Sequence, residues 1–143
     1  MNTIEKITHN NSLLAIIIYS SFEREGIIFF TDDDSPQQVG YMKREEGYEI
    51  QPHRHNLVKR EVFQTQEVLL VKSGKIRVDL YDDSEIYVIS KILSKGDIIL
   101  LASGGHGFKM IVDSEIVEIK QGPYLGERDK VRFTTVDDLK IRF

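Results

Sequence analysis

The chain has 143 residues, 41% of them apolar and 29% charged, with a formal net charge of −4 and no cysteine. That describes a single domain long enough to bury a core, and it excludes a nucleic-acid module, whose affinity needs a basic face. Without cysteine there is neither a disulfide framework nor a thiolate metal site, so any metal must be held by His, carboxylate or water. The longest apolar run near the start, Leu13 to Ile18, follows Glu5 and Lys6 and lacks a signal-peptide cleavage pattern. Nothing approaches the ~20 apolar residues of a membrane span, so the expectation is a cytoplasmic protein with no membrane or nucleic-acid partner.

Taken in order, residues 1–11 are polar and end in an Asn10-Asn11 turn signal. Residues 12–20 and 27–31 are Ile-rich and predict two strands of a hairpin, followed by an acidic loop at Asp32, Asp33 and Asp34. A further strand is expected over 39–44. Residues 66–73 and 75–81 flank Gly74 and predict a second hairpin with glycine at its turn. Strands are then expected over 85–93, 98–102, 108–112 and 115–120. Turn signals recur about every 8–12 residues with no helical period, the spacing of an all-β sandwich or barrel. Val68-Leu69-Leu70-Val71 and Ile98-Ile99-Leu100-Leu101 are apolar on both faces, which predicts strands covered on both sides. The tail, in which Val131, Phe133, Leu139, Ile141 and Phe143 recur among polar residues, is expected to pack on the outside together with the N-terminal strands. Association of two such chains into a homodimer is expected as well.

The chemistry concentrates between Gly47 and Gly74. On a strand, His53 and His55 would project from one face, and Glu67 on a neighbouring strand would supply a carboxylate. His106, in a Gly-rich loop, is a fourth donor. Imidazole and carboxylate suit Fe, Mn, Ni, Co or Zn, and ligand type alone does not choose between them.

These residues resemble the first motif of the cupins: Gly47, five residues, His53-Arg54-His55, then Glu67, six residues and Gly74. The gap of eleven residues between His55 and Glu67 is longer than the family's, and Glu61 within it is a competing carboxylate. The second motif is matched by Gly96, five residues, Ala102-Ser103-Gly104 and His106, with alanine in place of proline. The resemblance implies an all-β, single-domain double-stranded β-helix (jelly-roll) barrel. Its N-terminal strands would occupy 1–45, its core 46–120 and its tail 121–143. It also implies one divalent transition metal held by His53, His55, Glu67 and His106.

The run from Gly96 to Phe133 is similar to small cupins that accompany nucleotide-sugar and surface-polysaccharide biosynthesis. This implies a sugar-derived small-molecule ligand and a metal-dependent isomerase or epimerase. The alternatives are a metal-dependent dioxygenase and a non-enzymatic sugar-binding or sensor module. Gln51, Lys59, Arg60 and Gln66 are candidates for substrate binding, and Tyr48 or Tyr41 for the acid or base.

Overall fold

The computed structural model describes residues 3–143; Met1 and Asn2, the start of the polar leader, lie outside the described residues. The chain is all-β, and the described residues form ten strands: β1 (Ile4–His9), β2 (Ser12–Ile18), β3 (Gly26–Phe29), β4 (Gly40–Lys43), β5 (Glu67–Ser73), β6 (Lys75–Tyr81), β7 (Tyr87–Ser94), β8 (Ile98–Leu101), β9 (Gly105–Met110) and β10 (Glu115–Lys120). Two short 3₁₀ turns follow, at Gly126–Asp129 and Asp138–Lys140. No helix among the described residues is long and apolar enough to cross a membrane. The strands form two compact units, one from residues 1–22 with Thr65–Phe143, the other Glu23–Gln64.

The larger unit holds two antiparallel sheets, a five-stranded one in the order β1-β2-β8-β5-β10 and a three-stranded one in the order β7-β6-β9. Its core draws on both: Leu14, Ala15 and Ile17 from β2, Leu69 and Val71 from β5, Ile99 and Leu101 from β8, against Ile76, Val78 and Leu80 from β6 and Leu93 from β7. Alternation puts these side chains on one face of each strand, except at Leu14 beside Ala15, where the β1–β2 register shifts. Burying an aliphatic side chain of this size stabilises by roughly 1.5–3 kcal/mol, so this shared interior is the main source of cohesion. On the opposite face, Ile16 and Leu100 are register partners and are also buried, as expected of strands apolar on both sides.

Two predicted hairpins are not formed. The strand over Ser12–Ile18 pairs with β1 and β8, and the strand over Gly26–Phe29 pairs with β4 instead. β1 escapes a reading by periodicity because Ile4 and Ile7 are three apart and a bulge follows Ile7. Hence β1 and β2 extend the main sheet and supply part of its core, while β3 and β4 pair only with each other.

Around Gly74 the chain passes from β5 in one sheet to β6 in the other, so the glycine is a corner and not a hairpin turn. Its φ is +86°, and a Cβ there would lie 2.3 Å from the Asp113 carbonyl oxygen and 2.7 Å from the Ser114 Cα. Gly74→Ala is therefore expected to destabilise the fold by about 2 kcal/mol or more, read as a lower urea midpoint.

The C-terminal tail does cover a strand face. Arg77 and Asp79, two apart on β6, point away from the core and are buried all the same. The Arg77 guanidinium grips the Asp79 carboxylate with two bonds of 2.8 and 3.0 Å, and its Nη1 donates to Asp138 of the tail at 2.7 Å. Ser90 Oγ donates to Asp79 from β7. The Val136 amide donates to the Tyr81 hydroxyl and the Arg142 amide to the Tyr87 hydroxyl.

The smaller unit contains the β3–β4 ribbon, braced by Lys43, which pairs with Glu23 and Glu25. Residues 44–64 carry no strand, and every one of them is exposed.

Candidate functional site

Glu67 opens β5 on the inward face it shares with Leu69 and Val71. His106 sits on β9 opposite Leu80, whose side chain also faces the core. The two sheets thus present a carboxylate and an imidazole to each other at one end of the space between them. His106 Nε2 lies 3.0 Å from Glu67 Oε2. The imidazole is steadied by the Phe108 ring, 5.4 Å away between centroids. Sequence placed His106 in a flexible loop; here it belongs to a ladder, which fixes its direction.

The hydrogen bond from His106 holds the Glu67 carboxyl below its ordinary 4.5, against the opposite push of burial, with Lys120 adding attraction. A depressed carboxyl stabilises the fold above its ordinary pKa, and that contribution is lost as pH falls through the lowered value. The melting temperature of the wild type should therefore fall further than that of Glu67→Gln between about pH 5 and about pH 3. Parallel melts of the two proteins check this; equal slopes would contradict it.

The pair lines a cavity of about 690 Å³. Carboxylates of Asp82, Asp83 and Glu118, the hydroxyls of Thr65 and Thr134, and the cations Lys130 and Arg132 share its wall. Some of these have structural duties as well. Asp82 caps the turn after β6 by accepting from the Ser84 and Ile86 amides, and Asp83 accepts from the Gly104 amide. The Phe133 ring meets Tyr81 edge-on at 4.9 Å and lies over Gly105, where a Cβ would come within 2.6 Å of it. Gly104, at φ +72°, passes so close to the Tyr81 carbonyl that a Cβ would sit 2.2 Å from its oxygen. Gly105 thus lets Phe133 of the tail close down on the cavity wall. Acceptors and hydroxyls beside aromatic faces suit a polar ring with many hydroxyl groups, and Lys130 suits an attached phosphate, while Arg132 is paired with Glu127.

The other residues singled out from sequence fall elsewhere. His53, His55, Gln51, Tyr41, Tyr48, Lys59, Arg60 and Glu61 all belong to the smaller unit. His53 and His55 are not on a strand, although their rings lie edge to face at 5.4 Å. His53 Nδ1 is 3.0 Å from the Gln51 carbonyl, an acceptor to which a protonated Nδ1 can donate. Lys59 pairs with Glu61 at 3.0 Å on the surface. The Tyr48 ring lies under the Arg44 guanidinium and, with Lys43 and Glu45, borders a second cavity of about 440 Å³. Tyr41 is half-buried on β4. Gln66 is buried in the larger unit, where its side-chain amide donates to the Ala102 carbonyl at 3.2 Å.

Of the four expected metal donors the structure brings Glu67 and His106 together. Among the described residues no three His, Asp or Glu side chains gather at metal-binding spacing. Sequence reading missed Thr65 and Glu118, and missed Lys130 and Arg132 because the alternation of the tail gives no sign of which strand end it will cover. Phe133 was visible only as an apolar residue in that tail. Compared with protein-family models, with curated proteins and with solved structures, the chain matches none.

Proposed function

We propose that the chain is a cupin-type jelly roll that binds a small sugar-derived substrate in the Glu67–His106 cavity and isomerises or epimerises it. The observation that carries this reading is the 3.0 Å carboxylate–imidazole pair on the wall of a cavity of about 690 Å³. A carboxylate held ionised and a neighbouring ring nitrogen are the two groups needed to move a proton at a carbon beside a carbonyl. Glu67 accepts the proton from that carbon, the bonding pair passes into the enediol system, and the carbonyl oxygen takes a proton from His106. Return of a proton to the other face of the carbon, or to its neighbour, gives the epimer or the isomer. Lys130 would meet a phosphate of a sugar nucleotide, Arg132 being paired with Glu127, with Phe133 beneath the ring or base. The protein acts as a homodimer in this account.

A second reading is favoured by the contact of His53 Nδ1 with the Gln51 carbonyl, an acceptor of the kind that metal-bound histidines use. In it Glu67, His106, His53 and His55 would hold one divalent transition metal, and Tyr41 or Tyr48 would carry the proton. Such a metal supplies Lewis-acid polarisation of the substrate carbonyl, or oxygen activation if it is iron.

The test is incubation with a panel of nucleoside-diphosphate keto sugars in D₂O, followed by proton NMR. The expected result is deuterium entering the carbon beside the carbonyl with the wild type, in air or under nitrogen, and none with Glu67→Gln. Exchange that survives exhaustive chelation supports the acid–base pair; exchange that is lost and returns with added metal supports the four-donor site. Binding of a panel member without any exchange would replace the enzyme reading with a sugar-binding module.

A further inference from the structure

Moving a carbonyl to the neighbouring carbon takes one more group than enolisation does. Glu67 and His106 suffice for the enediol: one removes the proton from carbon, the other gives a proton to the carbonyl oxygen. For the carbonyl to migrate, the hydroxyl on the carbon that gave up its proton must then lose its own. An isomerase therefore needs an acceptor for that second oxygen. An epimerase instead needs an acid on the opposite face of the same carbon.

β10 supplies an acceptor. Ile116 of this strand packs against the core, so alternation turns Glu118 and Lys120 inward with it. Lys120 is the register partner of Glu67, and Glu118 is the partner of Leu69, whose side chain belongs to the core. Glu118 is thus the diagonal neighbour of Glu67 on the inward face, at the roughly 7–8 Å spacing across which long side chains meet. Its carboxyl comes within hydrogen-bond reach of the Glu67 carboxyl. Lys120 Nζ lies 3.8 Å from Glu118 Oε2 and gives it a counter-ion. Glu118 also lines the cavity, with 43% of its side chain exposed, so a bound molecule can touch it.

The remaining carboxylates of the wall have other duties or another place. Asp82 and Asp83 accept from the Ser84 and Gly104 amides, and Asp129 accepts from the Thr65 hydroxyl. Glu85 lies in the turn between β6 and β7, where its amide donates to the Asp82 carbonyl. Of the carboxylates on the described wall, Glu118 is the one that shares a sheet face with Glu67. Rising from one sheet, the two meet the same side of a bound sugar. That arrangement serves migration of a carbonyl and not inversion of a carbon.

We propose that Glu118 is a third catalytic residue of this site and that the reaction is an isomerisation, the carbonyl of a keto sugar moving to the adjacent hydroxyl-bearing carbon. Glu67 takes the proton from that carbon, the C–H pair becomes the enediol double bond, and the carbonyl oxygen takes a proton from His106. Glu118 then accepts the proton of the other enediol hydroxyl. The O–H pair forms the new carbonyl, and the double-bond pair takes the proton held by Glu67 onto the former carbonyl carbon. The proton on Glu118 returns to His106 through Glu67, which reaches both. No oxidant or reductant enters. The role of Glu118 rests on the functional reading given above.

The experiment follows nucleoside-diphosphate keto sugars, ¹³C-labelled in the sugar, in D₂O by proton and carbon NMR. Deuterium entry beside the carbonyl and migration of the carbonyl are then read separately. The wild type should show both. Glu118→Gln should keep deuterium entry within about threefold of the wild type, since Glu67 and His106 remain, and lose migration by about 10²-fold or more. Glu118→Asp should regain part of the migration. An inverted carbon as the wild-type product, deuterium entry without migration in the wild type, or a Glu118→Gln protein that loses both steps or neither would each overturn the role of Glu118 and leave the Glu67–His106 pair standing. A wild type into which no deuterium enters would remove the functional reading itself, and this inference with it. Glu118→Thr, a residue at home on a strand, repeats the measurement should Glu118→Gln melt below the wild type.

Discussion

Glu67→Gln is expected to lower turnover of a keto-sugar substrate by about 10²–10⁴-fold, the usual effect of removing a positioned general base. The substitution keeps the size of the side chain and leaves an oxygen to meet His106 Nε2, now 3.0 Å from Glu67 Oε2. It removes the negative charge and with it the ability to accept a proton from carbon. The fold should survive, because the core is built from Leu69, Val71, Ile76, Ile99 and their neighbours, which the change does not touch. The check is a rate of deuterium exchange measured beside a circular-dichroism melt. A variant that melts like the wild type near neutral pH and exchanges at the wild-type rate would remove Glu67 from the mechanism.

The largest loss of stability is expected at Asp79. Its side chain is 1% exposed and takes two bonds from Arg77, itself 7% exposed, and one from Ser90. Those bonds to Asp79 hold the Arg77 guanidinium in its charged form, against the pull of burial. Asp79→Ala strands a buried cation with only the exposed Asp138 for a partner, a situation that typically costs about 3–5 kcal/mol. For a chain of this length that corresponds to a fall of roughly 10 °C or more in melting temperature. Replacing both partners, as Arg77→Met with Asp79→Ala, should recover much of the loss, since the penalty belongs to the unpaired charge and not to the missing bond. A single variant no less stable than the double would show that Arg77 finds water in its place. The tail contacts at Asp138 and Arg142 should loosen with it, because they rest on the same face.

The strands were legible wherever period and turn chemistry agreed. β6 and β10 fall on the expected bounds, and Asn10 and Asn11, read as a turn, take positive φ between β1 and β2. Pairing was less legible than position. Gly74 reads locally as a hairpin turn, yet the same positive φ also serves a corner between sheets, and only the burial of Ile76 and Val78 against β5 and β8 decides between them. Half of the site was legible for a related reason. Glu67 and His106 could be named from spacing, but the cavity wall at Lys130, Arg132 and Phe133 depends on where the tail lands, which its alternation does not tell. The expectation that His53 and His55 share a strand face fails because Pro52 and the polar residues around it supply neither alternation nor a neighbouring ladder. Their rings come together regardless.

The measurement that bears most directly on this account is a titration of ¹⁵N-labelled protein with nucleoside-diphosphate keto sugars, followed by amide chemical shifts. The account predicts saturable shifts at Thr65–Glu67, at Gly104–Phe108 and along 130–135, all lost in Glu67→Gln. Saturable shifts confined to Lys43–Tyr48 would move the ligand to the other cavity and contradict the role given to Glu67 and His106.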